Sequence, residues 1–405
     1  MRKLRQASLT TIALLCVIAT GCARLGLGDP DSISPATADE CQTFGNELAA
    51  AVAADDAART AELFDLAGQF RRSTADFVGP DEYHAQLRKA AEEDARNDPL
   101  VPLLLASVRR GGQVKLLRVH TVDGRPLALV RYIGPRGSVE YIDFVPARTG
   151  DGRLVAEDMH IAGNGELASV TLRRPQLKIA AEQKQGPPGH PPSNSRVWVS
   201  HIPKLNAMYR QCIDRKYAQA VATYKSLPAE IQTDKSIFLR YLWAAEAVGD
   251  TEFLLALDGF RQQFPSDPAL DFQNIDYYRL MRNFDAALKT IDKAEQSIGG
   301  DPYLNALRAK MLVKAWRFKE ARVEADKAIE HEPGLTHGYW GRIDVAVAEA
   351  NHADTLAYLK KLAENTGHVA GDLRKDLDFA VFIRTPEYRE WLKWSAERKK
   401  QVASN

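Results

Sequence analysis

Phe318-Lys319-Glu320-Ala321-Arg322-Val323-Glu324-Ala325-Asp326-Lys327-Ala328 decides the fold of the C-terminal half, because the chain has already written it once. Moved back by one unit of about 34 residues, it falls on Phe284-Asp285-Ala286-Ala287-Leu288-Lys289-Thr290-Ile291-Asp292-Lys293-Ala294. The leading aromatic, the alanine three residues on and the Asp-Lys-Ala triplet coincide, and Asp301-Pro302 falls on Asp267-Pro268. Further upstream, Tyr217 and Ala220 repeat the aromatic-x-x-Ala pair two such units before Phe284 and Ala287. Self-similarity at such a period marks a stacked repeat architecture. Small residues at fixed positions let paired helices approach closely, and successive pairs bury one another's apolar faces.

These residues resemble the tetratricopeptide (TPR) repeat. In that family an aromatic begins the second helix of each unit, alanines three and ten residues on allow close packing, and a proline often ends the unit. Units fall near 204–231, 234–266, 268–299, 301–333 and 335–366. The second and fifth depart from the pattern, since Gly249-Asp250 is followed by Thr251-Glu252-Phe253 and Asn351-His352 supplies no aromatic. A further segment, Leu377–Lys399, carries Phe379, Phe382, Tyr388, Trp391, Leu392 and Trp394 and is expected to cap the exposed end. The resemblance covers about 195 of the 405 residues and implies an all-α TPR solenoid over 198–399. It specifies a fold rather than a ligand.

The first helix of each unit lines the concave surface in this family. By register, Phe272, Gln273, Asp276 and Arg279, then Tyr303, Lys310 and Lys314, then Trp340 and Asp344, would face a groove. Aromatic and charged side chains together suit an extended peptide or a partner helix. The same residues also read as a solvated helix face with some inter-helix packing. The paired Lys and Asn of chaperone-tail-binding members are not recognisable.

The N-terminal half changes character midway. Phe44, Leu48 and Val52, then Ala61 and Phe64, lie at helical spacing within Glu40–Leu66, and Asp55-Asp56 is placed to cap a second helix. Asp81–Asn97 and Pro99–Arg109 read as two more helices. After Gly111-Gly112 the period falls to two. Gln113–Val122, Leu127–Ile133, Val139–Ala147, Leu154–Ile161 and Leu167–Leu172 read as strands separated by turn signals such as Asp123-Gly124 and Gly163-Asn164-Gly165. Helices followed by an antiparallel meander predict an α+β domain over 38–178. That order loosely resembles the NTF2-like (SnoaL-like) cone fold. On its strands, Asp158 and His160 share one face, and Tyr141 and Asp143 share a face of the neighbouring strand. Such a group could transfer protons in a small-molecule pocket, as the resemblance to NTF2-like isomerases and dehydratases implies. Alternation of polar and apolar residues is equally what a half-exposed strand shows. His84, His120 and His201 read as isolated surface residues.

The chain opens with Arg2, Lys3 and Arg5 and an apolar run from Ile12 to Ala19, the layout of an export signal and too short to span a bilayer. It ends on Ala19-Thr20-Gly21-Cys22, which resembles the lipobox of bacterial lipoproteins. The resemblance implies a signal peptide over 1–21, cleavage before Cys22 and lipidation of its thiol (a palmitate-type anchor when the new amino group is acylated). Two or more acyl chains hold a protein stably where one does not. Ala23 rather than Asp after Cys22 suggests, by analogy with enteric-type sorting, the outer membrane facing the periplasm. Residues 22–37 read as a tether and 179–197, with Pro187, Pro188, Pro191 and Pro192, as a semi-rigid linker.

Of 54 basic residues three lie in 1–21, so the remainder carries 51 against 53 acidic, a balance of −2. That leaves no broad footprint for nucleic acid. Cys41 and Cys212 read as small buried side chains, and no spacing demands a bridge between them. No cofactor-binding glycine loop and no zinc-type cluster occurs. The expectation is a membrane-anchored, non-enzymatic scaffold in the cell envelope that binds a protein or peptide. The competing expectation is a small-molecule binder or a lyase- or isomerase-type enzyme built on the N-terminal domain.

Overall fold

The computed structural model describes residues 32–97, 100–135, 137–182 and 195–403. Cys22, the signal segment, most of the tether and the proline-rich stretch 183–194 lie outside the described residues. The chain has two compact units, 1–270 and 271–405. An antiparallel sheet with helices before it comes first, and every element described after the sheet is helical.

In the first unit, β1 (Ile33–Pro35) precedes α1 (Ala38–Ala53), α2 (Ala57–Glu62), α3 (Leu66–Ser73), α4 (Asp81–Asn97) and α5 (Leu100–Val108). Thr37 and Glu40 cap α1 reciprocally: the Thr37 N–H donates to the Glu40 carboxylate at 2.8 Å, and the Glu40 N–H donates to the Thr37 hydroxyl oxygen at 3.3 Å. Asp56 caps α2 by accepting the Arg59 N–H at 2.9 Å. Then come β2 (Gln113–Val122), β3 (Arg125–Ile133), β4 (Val139–Thr149), β5 (Leu154–Ile161) and β6 (Glu166–Leu167), an antiparallel meander in that order. Asp123 and Gly124 both take positive φ, 50° and 78°, as a two-residue hairpin requires. β1 pairs with the far end of β4, Ile33 opposite Thr149. Residues 33–37 therefore belong to the fold rather than to the expected tether.

α1 lies across the sheet, burying Phe44, Leu48 and Val52 against Ala128, Val130, Phe144 and Met159. The Phe44 and Phe64 rings flank Phe144 at 5.4 and 6.0 Å. The approach of α1 to β2 is close enough that a Cβ at Gly45 would come within 2.5 Å of the Leu116 side chain. Cys41 and Cys212 are both buried free thiols.

Leu167–Leu172 departs from the strand expected there. Only Glu166–Leu167 pairs with β5, and α6 (Ala168–Glu182) starts at once. The cause is Asp158 on β5, whose carboxylate accepts the Ser169 N–H at 3.1 Å and the Ser169 hydroxyl. This satisfies a helix-start donor from a neighbouring strand, so no local cap is needed. The bounds expected for the linker also shift, since α6 runs to Glu182 and α7 (Ser195–Ser200) begins before 197.

The unit continues with α8 (Ile202–Ile213), α9 (Tyr217–Lys225), α10 (Ala229–Gln232), α11 (Lys235–Val248) and α12 (Asp250–Gln263). α9 packs on α8 and α11, and α11 on α12. Tyr224 stacks on Tyr241 at 4.1 Å, and Phe238 meets Phe260 edge-on at 5.7 Å. A charged seam joins these helices to the sheet region. Glu166 accepts from Arg174 at 2.6 Å and lies 3.3 Å from Lys235, which also reaches Asp267 at 2.5 Å. Lys178 pairs with Asp234, the residue that caps α11. Apart from Arg174, these side chains are only 6 to 13% exposed. Burial pushes the Glu166 and Asp234 carboxyls up, but Arg174 and Thr171 on one, and Lys178 and Ser236 on the other, hold both below the usual range.

In the second unit, α13 (Leu270–Leu280), α14 (Phe284–Ile298), α15 (Pro302–Lys314), α16 (Phe318–His331), α17 (Thr336–Ala348) and α18 (His352–Thr366) lead through short 3-10 turns at Leu373–Lys375, Leu377–Phe379 and Phe382–Arg384 into α19 (Pro386–Ala403). α15 packs on α14, α16 and α17, and α18 on α17 and α19. Ala287, Ala294, Ala321 and Ala328 are fully buried, the close-packing role their spacing predicted, and so is Ala325. Phe379, Phe382, Tyr388 and Trp391 bury against Ile343, Leu359 and Leu362, while Leu392 stays exposed. Along the helical region a turn residue takes positive φ at Arg215, Gly249, Arg282, Trp316 and Ala350, once in each of the units expected from the sequence. Among the described residues no helix is long and apolar enough to cross a membrane.

Candidate functional site

The sheet face opposite α1 carries the polar residues singled out in the N-terminal half. Strand register sets Asp143 opposite His160 and Val145 opposite Asp158, so alternation brings Tyr141, Asp143, Asp158 and His160 onto one face. Tyr141 is buried and His160 half-buried. Asp143 is bonded at 2.6 Å to His120 Nε2, two strands away. His120 therefore belongs to this cluster rather than to an isolated surface position. Sequence spacing hides the contact, because β3 lies between the two residues. Asp158 is already engaged: it accepts from Gln69 Nε2 at 2.7 Å, from the Met159 N–H at 2.8 Å and from both donors of Ser169. A carboxylate with that many bonds ties α3 and α6 to β5.

The second candidate lies in the second unit, on the first helix of each pair. On α13, Arg279 Nε donates to Asp276 at 2.8 Å, one turn along; Phe272 and Gln273, a turn earlier, are half-buried. On α15, Lys310 and Lys314 stand one turn apart and both are exposed. On α17, Asp344 is half-buried and follows Trp340 by one turn. Two aromatic residues of the expected groove turn inward. Tyr303 is 3% exposed, its ring 4.9 Å from His337 and edge-on to it. Trp340 packs perpendicular to Phe379, 6.5 Å away, as part of the C-terminal core. Helix register places them near the expected groove, but apolar area draws their rings to the neighbouring helix.

The remaining charges act on one another. Burial pushes the Asp344 carboxyl up to about 7; Lys310 and Lys314 pull it down, and Asp378 and Asp376 push it further up. The Lys310 ammonium is lowered by burial and by Arg279 and Lys314, and raised by Asp344 and Asp276. Lys310, Lys314 and Asp344 make no hydrogen bond or ion pair within 4 Å among the described residues. Asp376 and Asp378 join from the 3-10 turns beside α17. Sequence reading places Asp378 within the expected cap, Leu377–Lys399, and leaves Asp376 just before it, although Asp376-Leu377-Asp378 places a carboxylate on each side of its leucine. Among the described residues no cluster of three or more His, Cys, Asp and Glu side chains could hold a metal ion.

No protein-family model matches this chain, and no curated protein matches it.

Proposed function

We propose that this chain is a lipid-anchored protein of the bacterial cell envelope whose helical half is a TPR-type superhelix that binds a protein or peptide partner. The observation that carries the reading is the positive-φ turn residue that recurs once per unit from Arg215 to Ala350. In the second unit it falls at Arg282, Trp316 and Ala350, the even spacing that stacked repeat pairs would have. Stacked pairs in one phase line a continuous surface with their first helices. The charges at 276, 279, 310, 314 and 344 lie on such helices. They have the mixed sign expected of a surface that selects a polypeptide by charge pattern. Cys22, after Ala19-Thr20-Gly21, is the proposed lipid attachment point, with the mature protein on the outer membrane and facing the periplasm. No chemistry is assigned to the protein. The small-molecule alternative retains the Asp143–His120 pair but loses Asp158 to its structural bonds.

Affinity purification from detergent-solubilised membranes after in-cell crosslinking tests the reading. Wild type should recover a discrete partner, Lys310→Asp should lose it, and Cys22→Ala should leave the membrane fraction. Equal recovery by wild type and by Lys310→Asp would sink the groove. A Cys22→Ala protein that still sediments with membranes would sink the anchor.

A further inference from the structure

Trp316 in the second unit has a placement that its own fold does not explain. It is 77% exposed, more than twice the exposure of Trp243, and its ring lies 5.7 Å from that of Phe318. Its φ is 61°, the left-handed region that suits glycine and strains a bulky residue. The corresponding turns carry Arg215, Gly249, Arg282 and Ala350, so the turn itself accepts a small or a polar side chain. An indole held on strained backbone and presented to water points to a use outside the fold.

Its surroundings narrow that use. Arg317 reaches back from this turn to Asp285 at the start of α14, at 3.1 Å, so the turns of two successive helix pairs lie side by side. The earlier turn contributes Met281, 53% exposed, next to Arg282. Past Trp316, Lys319 and Val323 share one face of α16 a helical turn apart, with Val323 53% exposed. Two carboxylates lie here, Asp285 and Glu320, and Arg317 pairs with both, at 3.1 and 2.5 Å. Arg282 and Lys319 are exposed and make no ion pair among the described residues. The ridge therefore carries separated apolar side chains with basic ones between them, and its acidic groups are already engaged.

We infer that this ridge is a membrane contact, with Trp316 seated at the headgroup level of an anionic lipid surface and Arg282 and Lys319 on its phosphates. An indole suits that depth because its ring is apolar and its N–H still finds an acceptor there. Flanking cations gain from the negative surface potential, and their long stems let the charge stay in water while the ring goes deeper. A protein partner asks for something different, namely a contiguous apolar centre depleted of lysine. Met281, Trp316 and Val323 are instead interrupted by charge. The inference goes beyond the proposed groove and anchor, since it uses neither Cys22 nor the charges of the first helices.

The test uses the chain from residue 23 onward, which lacks Cys22. Vesicles of three parts phosphatidylethanolamine to one part phosphatidylglycerol, with ordinary or brominated acyl chains, are read by tryptophan emission and by sedimentation. Brominated lipid should quench part of the wild-type emission, and Trp316→Phe should lose that part. Trp316→Gly should partition to vesicles at least about tenfold less than wild type, with no fall in Tm. Arg282→Gln combined with Lys319→Gln should weaken partitioning about tenfold on these vesicles and little on phosphatidylcholine alone. Equal quenching of wild type and Trp316→Phe, no sedimentation of wild type, or undiminished partitioning of Trp316→Gly would each overturn the inference. If Trp316→Gly loses a crosslinked protein partner while brominated lipid quenches nothing, the ridge is a protein contact and the inference fails. Its failure leaves the anchor and groove readings standing, because this assay contains neither the lipidated cysteine nor a peptide.

Discussion

Lys178, Lys235, Asp234, Glu166 and Asp267 in the first unit are the same chemical groups as Lys310, Lys314, Asp344, Asp376 and Asp378 in the second, in opposite circumstances. The first set is nearly dry and every member has a partner of opposite sign. In the second set the lysines are exposed, and neither they nor Asp344 has an ion-pair partner within 4 Å among the described residues. Carboxylates respond accordingly: Glu166 and Asp234 fall below their usual range and Asp344 rises to about 7. A chain that buries charge completely in one place had the means to do so in the other. The difference separates charges that hold the fold from charges left available.

Breaking the closed set should have the largest effect. Lys235→Met leaves Glu166 and Asp267 buried without their shared cation, and should lower unfolding stability by about 3–5 kcal/mol in a urea titration. A loss below about 1 kcal/mol would show that water already reaches the seam. Gly341→Ala asks whether the second unit rests on packing rather than charge. A Cβ there would meet Ala325 Cβ at 3.0 Å and Ala309 Cβ at 3.2 Å. Forcing those helices apart should cost about 1–3 kcal/mol, seen as a lower Tm.

Asp344 gives a smaller effect with a defined sign. Its folded pKa is raised from 3.8 to about 7, so between those values the folded state holds a proton that the unfolded state has lost. Stability from this group is fully present below pH 4 and is lost as pH rises through 7, by about 1–2 kcal/mol after solvent screening. Asp344→Asn should flatten that part of the stability–pH curve; an unchanged slope would remove Asp344 as the group responsible. The smallest effect belongs to Lys314→Ala, within about 0.5 kcal/mol of wild type, because an exposed unpaired side chain supports nothing in the fold. A larger loss would move Lys314 from the open set to the closed one.

Most elements of the first unit are legible in the sequence because their signals are local. Asp56 caps the helix it precedes, Asp123-Gly124 closes its hairpin, and the ends of β2, β5 and α4 follow from period and turn residues alone. The exceptions share a cause. α6 is started by Asp158, a residue on another strand; β1 exists because β4 outruns β3; His120 meets Asp143 across an intervening strand. Each depends on a partner brought in by the tertiary fold, which no window of sequence contains. The same holds at the proposed groove. Register finds its charged residues, but whether Tyr303 and Trp340 face water or a neighbouring helix is decided by His337 and Phe379. Asp378 is hidden in the sequence because the aromatics of Leu377–Lys399 signal a cap, and Asp376 because it falls just before that segment.

The pairing of Ile33 with Thr149 has a consequence for reach. It fixes β1 only eleven residues after Cys22, and eleven residues fully extended span at most about 40 Å. On the proposed anchor, β4 and everything built on it would work on a leash of that length. The lipid headgroups would then set the farthest distance from the membrane at which Ile33 and the sheet it edges could stand.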